Sequence, residues 1–194
     1  MNEQGLVLAS SSPFRQALLS RLHLEFQVVS PEVDETPLLN EPPDQLAIRL
    51  AELKAQALAE HFPQHLIIGS DQVAWLAGRQ LGKPGGRDKT IQQLMAMAGR
   101  LVVFYTSVCV LDSASGVCKV ELDISKVYFR DLNQSQIEAY VDKDQPYSCA
   151  GGFKSESLGI ALCERFESED PNAIIGLPLI RLTRMLDSFG CPVI

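Results

Sequence analysis

Apolar residues come in continuous runs near the start of the chain and at alternating or helical spacing further on, and these changes of period mark out the elements. Gly5-Leu6-Val7-Leu8-Ala9 is apolar throughout, the pattern of a strand buried on both faces. Ser10-Ser11-Ser12-Pro13 then predicts a helix start, with Ser12 as N-cap and Pro13 at the first helical position, and a helix to about Leu22. Phe26 to Val29 reads as a second strand, and the acidic, proline-bearing loop from Pro31 to Pro37 cannot be helical throughout. Leu46, Leu50, Leu53, Ala57 and Leu58 repeat at helical spacing between Asp44 and about Phe62, with Lys54 on that helix. His65 to Ile68 is an apolar strand that delivers Gly69-Ser70-Asp71-Gln72 at its exit, one hairpin before Gly82-Lys83-Pro84.

The second half predicts a helix near Asp88 to Ala98, a long strand from Leu101 to Leu111, a turn at Ser113 to Gly116, and an alternating segment from Val117 to Phe129 that closes a hairpin. A helix near Gln134 to Val141, a loop at Gly151-Gly152, a strand at Ile160 to Leu162 and a last helix opened by Pro178 complete the series. Strands and helices alternate early while hairpins dominate the middle. The expected fold is α/β, a mixed twisted sheet with flanking helices and not a doubly wound Rossmann domain. No repeat or linker divides residues 1–194, which read as a single domain.

Composition narrows the function classes. A formal charge of −7 with a pI near 5.0 argues against a general grip on nucleic acid or an anionic membrane, and leaves room for a small anionic ligand held by a few gathered cations. Five cysteines without Cys-x-x-Cys spacing predict reduced, mostly buried thiols, and His23, His61 and His65 lack zinc-site spacing. Met1 to Gln4 puts no basic stretch ahead of the first apolar run, so no secretory signal is expected. Leu101 to Leu111 is too short to span a bilayer, and a cytoplasmic protein is the expectation.

Four places carry groups suited to phosphate. Ser10 to Arg15 feeds a strand into a helix N-terminus, where backbone N–H groups and the positive helix end favour an anion and Arg15 can fork onto its oxygens; an ordinary capped helix gives the same string. Asp71 and an acid of the 32–35 loop offer two hard oxygen ligands for Mg2+, and spacing does not choose among Glu32, Asp34 and Glu35. Lys54 and Lys83 are compact charges able to neutralise polyphosphate oxygens, although a helical lysine is usually solvated and Asp at a strand exit often only caps a turn. Gly151 to Glu156 is a glycine-rich loop whose carboxylate can accept two N–H donors from a base edge. Gly78 to Pro84 is not a P-loop, because its interval is a residue short and proline replaces the Ser or Thr.

Taken in order, Ser10-Ser11-Ser12-Pro13 with Arg15, Val33-Asp34-Glu35, Arg49-Leu50-Ala51 with Lys54-Ala55, Gly69-Ser70-Asp71, Gly82-Lys83-Pro84, Tyr105-Thr106, Ala150-Gly151 and Ile175-Gly176-Leu177-Pro178-Leu179 resemble the motifs of the Maf family of nucleotide pyrophosphatases. The resemblance spans nearly the whole chain. It implies two lobes around a central cleft, similar to inosine-triphosphate pyrophosphatases, and frequently a homodimer. It also implies hydrolysis of nucleoside triphosphates between the α and β phosphates with a divalent metal, Mg2+ or Mn2+. Asp71 matches the proton acceptor, Ser10, Arg15, Lys54 and Lys83 the phosphate-binding positions, and Glu35 with Asp71 the metal ligands. An ionised aspartate is a weak base toward free water, so that role needs a metal to acidify the water or a raised pKa. Phe14, Gln72 and Glu156 resemble the branch that cleaves 7-methyl-GTP: an aromatic face attracts the cationic methylated base, and a carboxylate takes its N–H donors. Another nucleotide such as dTTP or UTP, or a nucleotide-binding regulator of cell division, are the alternatives.

Overall fold

The structure is a computed structural model that describes residues 4–194; Met1 to Glu3, part of the segment read as lacking a secretory signal, lie outside the described residues. The described residues form a seven-stranded mixed sheet with flanking helices. The strands are β1 (Gly5–Ala9), β2 (Gln27–Val29), β3 (His65–Leu76), β4 (Arg79–Leu81), β5 (Leu101–Asp112), β6 (Cys118–Phe129) and β7 (Cys163–Glu167), in the order β2-β1-β3-β5-β6-β7 with β4 paired on β3. Pairing is parallel between β1 and its neighbours β2 and β3, and antiparallel for β3 with β4 and β6 with β7. The helices are α1 (Pro13–Ser20), α2 (Pro43–Gln56), α3 (Arg87–Met97), α4 (Gln134–Asp144) and α5 (Leu179–Ser188). Among the described residues no helix is long and apolar enough to cross a membrane.

Two compact units divide the chain: residues 1–71, 106–123 and 170–194 form the first, and residues 72–105 and 124–169 the second. In the first unit the period-2 alternation of the strands sends side chains to two cores. Leu6, Leu8, Leu66, Ile68, Val108 and Val110 pack with Leu18 and Leu19 of α1 and Leu182, Met185 and Leu186 of α5. Val7, Ala9, Ile67, Cys109 and Leu111 face the other way, onto Ala51 and Ala55 of α2. Both faces are covered, which is why the early strands read as unbroken apolar runs. In the second unit α3 packs on α4, and Phe153 meets Phe104 and Phe129 at ring-centroid distances of 5.9 and 5.2 Å.

Several boundaries differ from the sequence reading. Helix α1 stops at Ser20 and α2 at Gln56; His23 takes a φ of 54°, and Phe62 precedes a proline that disfavours helix. Strand β3 does not end at Asp71 but runs five residues further before its hairpin. The strand expected at Ile160 to Leu162 is a 3-10 turn over Leu158–Leu162, because Gly159 lies so close to the Lys154 carbonyl that a Cβ would stand 2.3 Å from that oxygen. The strand itself, β7, follows it, and its Glu164, Arg165 and Glu167 give the charged composition typical of a protected edge rather than of a core strand. All five cysteines are free, as expected, but only Cys109 is fully buried and the others are half-buried.

Gly69 marks the closest approach among the first unit's glycines. A Cβ there would lie 2.0 Å from the Ala51 carbonyl oxygen and 2.9 Å from the Ala55 nitrogen, so the backbone of α2 rests directly on β3. Gly69→Ala is expected to destabilise the protein by about 3 kcal/mol, the upper end of overpacking costs, measured as a fall in denaturant midpoint against wild type.

Candidate functional site

The pairing of β1 with β3 ends at Ala9 opposite Gly69, so Ser70 and Asp71 continue past the end of the shorter strand. That step in the sheet opens beside the start of α1. Ser10, buried, accepts a hydrogen bond from the Ser12 N–H at 3.1 Å, and Ser12 caps α1 by accepting from the Arg15 N–H at 3.4 Å. Phe14 is half-buried at the second helical position.

Asp71 is 7% exposed and Lys54 6%, and they form an ion pair at 2.6 Å. Lys54 is among the phosphate-binding positions that the family resemblance implies, and a helical lysine is usually solvated. Helix α2 instead buries Leu46, Leu50 and Lys54 as one stripe at intervals of four, with Ala47, Ala51 and Ala55 beside them, while Ala57 is exposed. The position of Lys54 four residues after Leu50 was the signal. A lysine in the apolar stripe needs a partner, and it has two: Nζ lies 2.6 Å from Glu35 Oε1 as well as from Asp71.

Geometry distinguishes the three loop acids. Glu35 reaches Lys54; Asp34 accepts the Thr36 N–H at 2.9 Å, and the Thr36 side chain first and this N–H second lower its pKa; Glu32 is exposed. The loop is anchored by Arg49, whose Nε and Nη2 donate to the two Glu41 carboxylate oxygens at 2.6 and 2.8 Å and whose Nη2 also reaches the Thr36 carbonyl at 3.2 Å. Hydrogen bonds from Arg49 hold the Glu41 pKa down at about 2.

Arg15 donates Nε to the Gly176 carbonyl at 2.8 Å. Burial lowers its pKa, and the charges of Asp71 and Glu35 act in the opposite sense, so this guanidinium shares the field of both acids. Two carboxylates and two cations thus gather in the first unit with no net charge. Both acids converge on one ammonium and stand no further apart than twice its contact distance. Two converging carboxylates suit Mg2+, which takes one or two and completes its octahedron with water and substrate oxygens. No group of three or more His, Cys, Asp or Glu side chains able to hold a metal occurs among the described residues. His65 turns its Nδ1 to the Pro63 carbonyl at 3.0 Å and sets its ring edge-on to Phe62.

Three further candidates belong to the second unit. Gln72 is half-buried on β3, and Lys83 is exposed in a turn pinned through Gly82, whose carbonyl accepts from the Gly151 N–H at 3.2 Å and from Gln93 Nε2 at 3.0 Å. Glu156 is exposed on a loop held to α4 by Tyr140, whose hydroxyl accepts the Lys154 N–H at 3.0 Å and donates to the Gly152 carbonyl at 3.3 Å. Lys83 and Glu156 act on a common neighbour: burial and then the Glu156 charge push the Cys149 thiol up to about 11, opposed by Lys154 and Lys83. A raised thiol pKa disfavours the thiolate that a cysteine nucleophile needs.

The sequence reading assigned no role to Ser70, Ser107, Arg49 or Gly176. The polar run Tyr105-Thr106-Ser107 inside an otherwise apolar strand, with Thr106 and Ser107 fully buried, was a legible signal of a polar network.

The Maf-like protein family model matches residues 5–189. A 7-methyl-GTP pyrophosphatase of Methylobacillus flagellatus is 53% identical over 97% of this chain and 98% of its own length, and one of Vibrio vulnificus is 51% identical over the full length of both. Among solved structures, the Staphylococcus aureus Ham1 protein covers 66% of this chain and 73% of its own at a TM-score of 0.48 and 17% identity.

The Arg49–Glu41 clamp makes acid stability a readout of this loop. A carboxyl whose folded pKa lies below its usual 4.5 contributes stability that is fully present above that value and is lost as pH falls toward about 2. Glu41→Gln is expected to flatten the pH dependence of unfolding free energy across that window, measured by denaturant melts at stepped pH.

Proposed function

This chain belongs to the Maf-like protein family, and on that premise we propose that it hydrolyses 7-methyl-GTP to 7-methyl-GMP and pyrophosphate, clearing a modified nucleotide from the cytoplasmic pool. The observation that carries the reading is the convergence of Asp71, Glu35, Lys54 and Arg15 beside the start of α1, in the frame the family match covers. The names of relatives about half identical over nearly the whole chain support the substrate.

In this reading Asp71 accepts the proton of the attacking water, and Lys54 keeps its carboxylate fixed in place. Arg15, Lys54 and Lys83 stabilise the negative charge that builds on the leaving pyrophosphate, and Ser10 with the N-terminus of α1 supplies neutral donors. Glu35 and Asp71 are the residues that would hold a divalent ion, which when bound polarises the phosphate oxygens and acidifies the water. A charge-balanced set of side chains supports that need: an incoming polyphosphate adds negative charge that the first unit's own cations have already spent on its acids. Phe14 offers an aromatic face to the cationic base, Glu156 accepts its N–H donors, and Gln72 completes the choice of base. The whole chain acts as one functional domain made of two units, with a homodimer as the proposed assembly.

With Mg2+, pyrophosphate release is expected to be fastest from 7-methyl-GTP in a panel with GTP, dTTP and UTP; release of single phosphate instead would falsify the α–β cleavage. Asp71→Asn should lower kcat by about 10²-fold or more while the melting temperature is retained, the scale of a lost general base. Chelation with EDTA should stop turnover and added Mg2+ or Mn2+ restore it, followed as pyrophosphate released.

A further inference from the structure

We propose that Ser70 is a positioning residue that acts through Arg15, an inference resting on the reading of Arg15 as a phosphate-binding side chain. Ser70 is fully buried on β3, immediately before Asp71. Its Oγ lies 2.8 Å from the Ser107 carbonyl oxygen and 2.9 Å from the Gly176 carbonyl oxygen, so one hydroxyl proton is shared between two acceptors. The Gly176 carbonyl also accepts Arg15 Nε at 2.8 Å. A carbonyl has two lone pairs, and Ser70 and Arg15 approach the same one oxygen together.

The consequence falls on the guanidinium. With Nε committed to the backbone, the terminal amino groups of Arg15 are the part of the fork that remains for two phosphate oxygens, and they make no hydrogen bond or ion pair among the described residues. Gly176 adopts a φ of 130°, and a Cβ there would lie 3.6 Å from Arg15 Nε, so the carbonyl is aimed by a backbone shape that L side chains rarely take. Ser107 extends the same chain of bonds, donating to the Ala47 carbonyl of α2 at 2.5 Å. The hydroxyl beside the proposed base therefore aligns the carbonyl that orients the proposed phosphate clamp, the hydroxyl and the base being adjacent residues of β3.

The test is a double-mutant cycle between Ser70→Ala and Arg15→Lys, the lysine keeping the charge while removing the Nε donor. Binding of inorganic pyrophosphate with Mg2+ is measured by calorimetry, and kcat/KM by pyrophosphate release from 7-methyl-GTP. Ser70→Ala is expected to weaken pyrophosphate binding about tenfold when Arg15 is present and less than twofold in the Arg15→Lys protein, since one buried hydrogen bond to a group aligning a charge is of that size. Equal losses in both backgrounds, or unchanged binding in Ser70→Ala, overturn the proposal. Should Ser70→Ala fail to fold in a thermal melt, Ser70→Cys, close in shape but a weak donor, carries the same comparison. Wild-type protein that binds pyrophosphate without releasing it from 7-methyl-GTP defeats the substrate reading alone, whereas absence of pyrophosphate binding defeats the reading of Arg15 on which this inference stands.

Discussion

Helix α2 lies on β3 with no side chain between them at Gly69, and the placement of the first unit's charged groups depends on that contact. One turn along the helix from Ala51, Lys54 projects from the same buried face, and two residues along the strand from Gly69 stands Asp71. An ammonium and a carboxylate both removed from water carry a desolvation cost that only short, well-aimed contact offsets. The 2.6 Å ion pair is therefore available only while helix and strand backbones touch. Glu35 joins the same ammonium from a loop that has no regular structure of its own, and the Arg49 fork on Glu41 supplies the rigidity that the loop lacks.

The opposite side of β3 is organised by backbone carbonyls rather than by charge pairs. Arg15 enters from α1, Ser70 from β3 and Gly176 from the turn ahead of α5, and all three meet at one oxygen. Asp170 fixes the start of that last helix, its carboxylate accepting the Ile180 N–H at 2.6 Å and the Asn172 N–H at 2.9 Å. Arg15 and the carbonyl it meets are thus held by elements whose ends are themselves capped or bonded. This is the arrangement that keeps a constellation within the tolerance a reaction demands.

Much of this was legible in the sequence because the early strands are covered on both faces and so lose the ambiguity of a half-exposed pattern. The N-cap at Ser12, the non-helical acidic loop and the long hairpin followed from local chemistry alone. Lys54 was legible as a phosphate-binding position through the family resemblance, but its burial was not: the four-residue interval from Leu50 sets it in the buried stripe, and a pair of acids distant in sequence explains why that burial is tolerated. The extension of β3 past Asp71 was hidden by the polar Asp71-Gln72 step, which resembles a strand exit. Edge strand β7 was hidden by its charges, and Gly176 could not be assigned because its contribution is a carbonyl, which every residue owns.

The first unit is assembled from three separate stretches of chain, and this has a consequence for how the protein is made. Residues 1–71 leave a translating ribosome well before residues 170–194, yet Leu6, Leu8, Leu66 and Ile68 find their cover in Leu182, Met185 and Leu186 of α5. Until that helix emerges, this face of the sheet's oldest strands is covered only in part, by Leu18 and Leu19 of α1. The nascent protein is thus sticky on its earliest-made surface for nearly the whole of synthesis, the situation in which chaperone capture competes with aggregation.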